Sequence, residues 1–342
     1  MVTRKDVAAL AGVSTAVVSA AISGSNSVRM SAATRERVMA AIEATGYRVN
    51  HAGRALASKR SGIVAAVVPK ISNPVFDLAL QGVQDAADES SDIVLVSDAA
   101  RLFTGSNMLD RIVGTGVADG FIVRGTMIGD EPIDKIIARG VPCVVLNGPT
   151  DHDHVNVWVD DHAGIRAATD HLLALGHRRI VLVGGPVEES AAKDTRRHGF
   201  LEAFRAHRAE PPVDCFHSVG YEPEEIQRTV AELLSRPDAP TGIIVDNVTA
   251  SIGALAAAAD LGVLVPDDLS VIGYHDISLA ALIRPAITTI RMPVRESGRQ
   301  AYRTLAQMIM GEGPGETQLI NDPPPELVVR ASTGPVRPAT TR

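Results

Sequence analysis

The chain contains no long apolar run. No stretch approaches the ~18 apolar residues a membrane span needs, and the opening MVTRKDVAALAGVS has charges where a secretory signal would be apolar. No membrane partner is expected, and the location read from this is cytoplasmic. Cysteine is scarce: Cys143 and Cys215 are the two in 342 residues, and each lies in an apolar run. That pair reads as core in a reducing compartment rather than as a disulfide framework. A GxGxxG or Walker loop is also missing, and VGGP at 183–186 reads as a strand-ending turn. No Ser or Cys stands in a nucleophile elbow. DHDH at 151–154 lacks a companion Cys or His cluster and reads as a solvated loop. The terminal TGPVRPATTR has no heptads, so no tetramerising coil is expected. Catalysis, cofactor and metal are therefore not expected.

What is present is an uneven charge. Residues 1–60 hold nine Lys and Arg against Asp6, Glu36 and Glu43, a balance of +6; the whole chain carries −7, so the remainder carries −13. Phosphates repel an acidic body, so a basic head on it points to a polyanion-binding module.

Local signals make that head helical. Thr3 can cap a helix beginning at Arg4, and Asp6 suits its positive end. Val7, Leu10 and Ala11 form an apolar stripe, with Ala8 small enough for close helix contact. Gly12 suits a left-handed turn. Ser14 caps a second helix whose Val17, Val18, Ala21 and Ile22 can face inward. After a loop from Gly24 to Arg29, Ser31 caps a third helix in which Val38, Ala41 and Ile42 recur up to Gly46. Two short helices across a tight Gly turn, braced by a third, make a helix-turn-helix.

The body alternates between strand and helix. Runs at Ile63–Val68, Ile93–Val96, Phe121–Val123, Cys143–Leu146, Ile180–Val183, Ile243–Val245 and Val271–Tyr274 have helical stretches between them. Such alternation means parallel sheets with helices on both faces. About 270 residues are too many for one doubly wound sheet, so two lobes are expected. The expected division is a head at 1–49, a linker at 50–61 and a core at 62–335. Within the core, the N-lobe takes about 62–160 and 292–320, and the C-lobe about 161–290 and 321–335. VNVWVDD (155–161) and TTIRMP (288–293) suit lobe crossings. Ligands of such sheets sit beyond the carboxyl ends of the strands.

In detail, the head segments VTRKDVAALAGVS and VRMSAATRERVMAAIEATGYRVNHAGRALASKRSG resemble the lactose-repressor/galactose-repressor (LacI/GalR) family. The likeness continues through VVPKISNPVF (67–76), VADGFIV (117–123), HLLALGHRRIVLVGGP (171–186), RRHGFLEAF (196–204), LSVIGYHDISLAAL (269–282) and ELVVRAST (326–333). It covers nearly the whole chain in order. It implies a periplasmic-binding-protein-like core that closes on a small-molecule effector, and a homodimeric regulator, most simply a repressor, of double-stranded operator DNA. The body alone would also suit a solute-binding receptor with no transcriptional role, but the basic head stands where a receptor's signal peptide would be.

By the same resemblance, Ser14, Thr15, Ala16, Ser19 and Ala20 occupy exposed positions of the recognition helix. The family commonly has Thr at Val17 and Arg at Ala20, and losing that Arg removes a guanine contact worth roughly 1–3 kcal/mol. Ala16 and Ala20 are left to meet thymine methyl groups. The hydroxyls of Thr3, Ser14, Ser23 and Ser31, at helix ends or the adjoining loop, are phosphate-anchor candidates. Residues 50–60 match the family's hinge helix. It holds Asn50 and Arg54, and its Leu56 matches the minor-groove wedge. Val49 replaces a Pro and Gly53 an Ala, the latter costing ~1 kcal/mol of helix propensity, so this hinge is expected to be harder to order.

Family pockets carry an Asp before the xSNP turn, another after the fourth strand, and a GxDD pair. Here those positions read Lys70, Asn147, and His275 followed by Asp276. Arg196, three before Gly199, matches the family's ligand-binding Arg, and Asn247 its Asn; Val248 stands where an Asp usually follows. Arg124 ends a strand where small residues are common. Phe76, Trp158 and Tyr274 can stack on a ring. Exchanging three carboxylates for Lys70, Asn147 and His275 leaves two expectations open: a cationic cleft with an anionic, sugar-like effector, or an ordinary sugar site in which Lys70 and Arg124 point to solvent or pair with Asp77 or Asp276. In the first, Arg196 and Lys70 would hold the effector with Arg124 in support, and affinity would rise as pH falls through His275's unperturbed ~6.5.

Overall fold

Three helices make the head: α1 (Arg4–Ala11), α2 (Thr15–Ser23) and α3 (Ala32–Thr45). The computed structural model describes residues 2–23, 28–47, 60–71, 73–103, 108–124, 131–146, 154–185 and 194–337. The Asp6 carboxylate accepts both the backbone N–H and the hydroxyl of Thr3 at 2.7 Å, fixing the start of α1. Gly12, at φ 63°, ends α1 and turns the chain towards α2. Val7, Ala8, Ala11, Val18, Ala21, Val38 and Ala41 form the head's core. Leu10 does not join the stripe expected of it and is 59% exposed. It lies about 100° round the helix from the face that Val7, Ala8 and Ala11 bury.

The body, Gly62–Arg342, is a separate compact unit built on two six-stranded sheets. The first contains β1 (Ile63–Val68), β2 (Ile93–Asp98), β3 (Gly120–Val123), β4 (Cys143–Leu146), β5 (Asn156–Val159) and β11 (Gln318–Ile320), in the order β11-β5-β4-β3-β1-β2. The second contains β6 (Ile180–Gly184), β7 (Phe216–Ser218), β8 (Gly242–Val245), β9 (Ser270–Tyr274), β10 (Thr288–Arg291) and β12 (Glu326–Val328), in the order β12-β10-β9-β8-β6-β7. Neighbours run parallel except β10 and β12. β1, β3, β6 and β8 bear Val, Ile and Ala on both faces because helices cover both faces.

α4 (Pro74–Ser90), α5 (Ala99–Phe103), α6 (Met108–Gly114), α7 (Glu131–Ile137) and α13 (Val294–Met310) cover the first sheet. α8 (Asp161–Ala174), α9 (Thr195–Ala206), α10 (Pro223–Leu234), α11 (Ser251–Asp260) and α12 (Ser278–Leu282) accompany the second. α4 and α13 pack at backbone distance: a Cβ on Gly82 would stand 1.8 Å from the Arg295 carbonyl oxygen, and one on Gly298 2.0 Å from that of Ala79. The chain passes between the two halves after β5, after β10 and after β11. Where the halves face each other, Val75 at the start of α4 is buried in one apolar cluster with Val248, Ala280 and Ile287.

In both sheets the strand order reverses at corresponding places, between β1 and β3 and between β6 and β8. The carboxyl ends of those strands border a cleft at a topological switch point. Arg124 follows β3, Gly185 follows β6, Asp246 follows β8 and His275 follows β9.

Candidate functional site

Arg196, near the start of α9, lies at the centre of a polar cluster in the cleft. Its Nε and Nη2 stand 3.3 and 3.2 Å from Oδ2 of Asp161, and its Nη1 donates to Oδ2 of Asp246 at 3.2 Å. The guanidinium also covers the Tyr274 ring at 4.8 Å, and the Tyr274 hydroxyl donates to Oδ1 of Asp161 at 2.7 Å. Burial works against the charge of Arg196, but the two carboxylates outweigh it and hold its pKa well above the ordinary value.

The carboxylates differ. Burial pushes Asp246 up to about 6, with Arg196 and the Gly185 N–H opposing. Burial acts the same way on Asp161, but Arg196, His275, Tyr274 and Arg124 prevail and lower its pKa. Glycine makes the seat for Asp246: a Cβ on Gly184 would fall 1.8 Å from its Oδ1. The Gly185 N–H donates to its Oδ2 at 3.1 Å. A Cβ on Gly185 would fall 2.1 Å from the Tyr221 ring, which lies against this strand end.

The other half contributes Arg124 and Phe76. The Arg124 guanidinium sits over the Phe76 ring at 5.5 Å, and its Nε is buried with no hydrogen-bond partner. Burial lowers its pKa, with Asp161 opposing.

Several expected site residues stand differently. Lys70 does not stand as an unpaired cation: it is half exposed, and its ammonium lies 2.6 Å from Oε1 of Glu222. Asp276 accepts from Thr289 Oγ1 at 2.7 Å, Arg330 Nη2 at 2.8 Å and Arg291 Nη2 at 2.9 Å, so its oxygens are spent on the fold. Asn247 is buried, and its Oδ1 accepts the N–H groups of Thr249 and Ala250, which fixes the turn into α11. Trp158 lies within β5, opposite Leu319 of β11, rather than at a strand end with the cluster. Asn147 falls outside the described residues.

His275 does reach the cleft, at a left-handed φ of 70° and 3% exposed, with its ring 4.7 Å from that of Tyr274. Burial and the positive field of Arg196 hold its pKa down to about 3, so it is neutral. The expected gain of charge near pH 6.5 does not occur. Nor is the cleft an excess of cations: Asp161 and Asp246 balance Arg196 and Arg124, and Glu222 balances Lys70. Reading the sequence alone missed Asp161, Asp246 and Tyr221. Their signal is position, because Asp246 and Tyr221 follow strand ends and Asp161 opens the helix after a crossing.

In the head, Ser14, just before α2, and Thr15 and Ala16, in its first turn, are exposed. Ser19 is half-buried, its hydroxyl accepting from Arg4 Nη1 at 3.4 Å. Ala20 is 3% exposed, so it is not the open methyl expected. It lies about 40° round the helix from exposed Ala16 and about 200° from buried Val18, so helical period alone does not account for its burial. Ser14 Oγ accepts the Val17 N–H at 3.4 Å and Ser31 Oγ that of Thr34 at 3.2 Å, so both act as helix caps. Ser23 ends α2. Asn50, Gly53, Arg54 and Leu56 lie outside the described residues.

Residues 3–50 match the bacterial regulatory proteins of the lacI family, and residues 169–333 match a periplasmic binding protein-like domain. The HTH-type transcriptional regulator DegA of Bacillus subtilis is 30% identical, covering 97% of this chain and 98% of its own. The chain belongs to the lacI family. This lacI-family protein is a DNA-binding, ligand-responsive transcriptional regulator. Its fold follows the lac repressor dimer bound to operator and the anti-inducer ONPF, with a TM-score of 0.78, 26% identity and coverage of 97% and 99% of the two chains. The complex of the transcriptional regulator CelR with cellobiose is 28% identical, with a TM-score of 0.70 over 97% of this chain and 100% of that one.

Proposed function

We propose that this lacI-family regulator is a dimeric, cytoplasmic repressor that does no catalysis. A small polyhydroxylated molecule held between the lobes sets its affinity for a palindromic operator. One observation carries the reading: a helix-turn-helix and a buried donor–acceptor cluster occur in a single chain that follows the operator-bound lac repressor over 97% of its length. Asp161 and Asp246 offer the acceptors that hydroxyl groups need, and the cellobiose complex of CelR supports a sugar-like ligand. Tyr221, Phe76 and Tyr274 supply ring surface around them.

On DNA, the start of α2 offers Ser14, Thr15 and Ala16, none of them long enough for a bidentate base contact, so the helix reads by methyl contact and shape. Thr3, Ser14, Ser23 and Ser31 serve as phosphate anchors. By resemblance, Asn50, Arg54 and Leu56 act in the hinge. A dimer is supported by the edge strand β2, where Ile93, Leu95 and Val96 are 44–47% exposed.

Gel-shift or anisotropy titration on a palindromic site tests the reading. Affinity is expected to fall steeply between about 50 and 200 mM salt and to vanish when residues 1–60 are removed. Binding that ignores salt or survives the deletion overturns it.

A further inference from the structure

The cations bordering the cleft are unequally matched. Arg196 is bracketed by Asp161 and Asp246, and Lys70 is paired with Glu222. Among the described residues the Arg124 guanidinium has neither a hydrogen bond nor an ion pair, although the backbone N–H donates to the Val67 carbonyl, and its Nε is buried without a partner. Phe76 covers the guanidinium, leaving its N–H edge for use. Nearby, Nδ1 of His275 is also buried and unpartnered. A guanidinium that is half-buried, with its Nε cut off from any acceptor, is costly, and the cost falls when an anion meets it.

We infer that the effector carries a carboxylate and that Arg124 is the residue that selects it. This rests on the reading that a small molecule binds in this cleft. The fork of one guanidinium matches the two oxygens of a carboxylate. A phosphate, with a charge of about −1.5 to −2, would face Asp161 and Asp246 with Arg196 and Lys70 already paired. The hydroxyls of a sugar acid then fall to Asp161 and Asp246, and a ring or carbonyl oxygen can take the N–H of the neutral His275. Arg196 and Lys70, whose charges are already met, do not bind the acid group.

Calorimetric titration of the full chain tests this with D-gluconate, D-galactonate, D-glucuronate and D-galacturonate beside D-glucose, D-galactose and their phosphates. At least one acid is expected to bind roughly 10- to 100-fold more tightly than its neutral counterpart, the range of a hydrogen bond to a charged group. Arg124→Met is expected to bring the affinity for the acid down to that for its neutral counterpart, both measured on the variant, and Arg124→Lys to restore part of the gap. Neutral sugars or phosphates binding as tightly as the acids, or a preference that survives Arg124→Met, overturns the inference and leaves the effector reading intact. Failure of every compound to bind overturns both. A further measurement needs no ligand: removing an unpaired, half-buried cation is expected to raise the melting temperature of the free protein by a few degrees. A drop overturns the selecting role and makes Arg124 structural.

Discussion

The Lys70 ammonium and Oε1 of Glu222 meet at 2.6 Å although the residues stand 152 positions apart, one beyond β1 and the other at the start of α10. The bond ties the two halves together across the mouth of the cleft. Both side chains are about half exposed, so water screens most of the attraction.

Lys70→Ala is therefore expected to lower the melting temperature slightly, and less in high salt. Effector affinity is expected to stay within roughly threefold, as an exposed pair implies. Thermal denaturation at two ionic strengths and a ligand titration check this. A tenfold loss of ligand affinity would put Lys70 back in the site.

Gly185→Ala should damage the cleft without touching the head. The new methyl carbon would fall 2.1 Å from the Tyr221 ring, which must swing away. Effector affinity is expected to drop at least tenfold while operator affinity without effector stays unchanged. Paired ligand and DNA titrations separate the two.

His275 and Asp246 contribute opposite pH slopes to stability. His275 falls from 6.5 to about 3 on folding, so its share of stability is present above pH 6.5 and lost as the pH drops. Asp246 rises from 3.8 to about 6, so its share is present below 3.8 and lost as the pH climbs through 6. Each slope reaches about 1.4 kcal/mol per pH unit, and the two cancel between about pH 4 and 6. Relative to the parent, Asp246→Asn is expected to lose stability as the pH falls from about 6 to 4, and His275→Asn to gain it. Urea titrations across that range decide; curves parallel to the parent's refute the cancellation.

Asp276→Ala is expected to act on the fold. It strands Arg330, whose side chain is 17% exposed, and removes an acceptor from Thr289 and Arg291. A loss of about 3 kcal/mol follows for breaking a buried pair. Denaturant midpoints report it, and ligand affinity of the folded fraction should be retained.

Sequence patterns reveal structure where burial dictates residue type. β6, with the sequence IVLVG, is buried along its whole length and could be read directly. β7, β11 and β12 have three residues each, half polar or exposed, and exist because a neighbouring strand supplies their hydrogen bonds. In the site, resemblance to the family singled out Arg196, whereas the setting of its charge depended on Asp161 and Asp246, which only the fold brings to it. The pairing of Lys70 was hidden for the same reason, since no local pattern reveals a partner as remote as Glu222. Ala20 shows the limit within a single helix: its burial depends on packing beyond the helical period.

The two sheets repeat one strand order, so β3 in the first holds the place of β8 in the second. The residue after β3 is Arg124 and the residue after β8 is Asp246. Duplicated architecture has thus set a cation and an anion at equivalent stations facing one gap. A visitor crossing that gap meets a lone guanidinium on one wall and a carboxylate already held by Arg196 on the other, so the two walls are unlike. A molecule with one polar end unlike the other can lie there in a single sense.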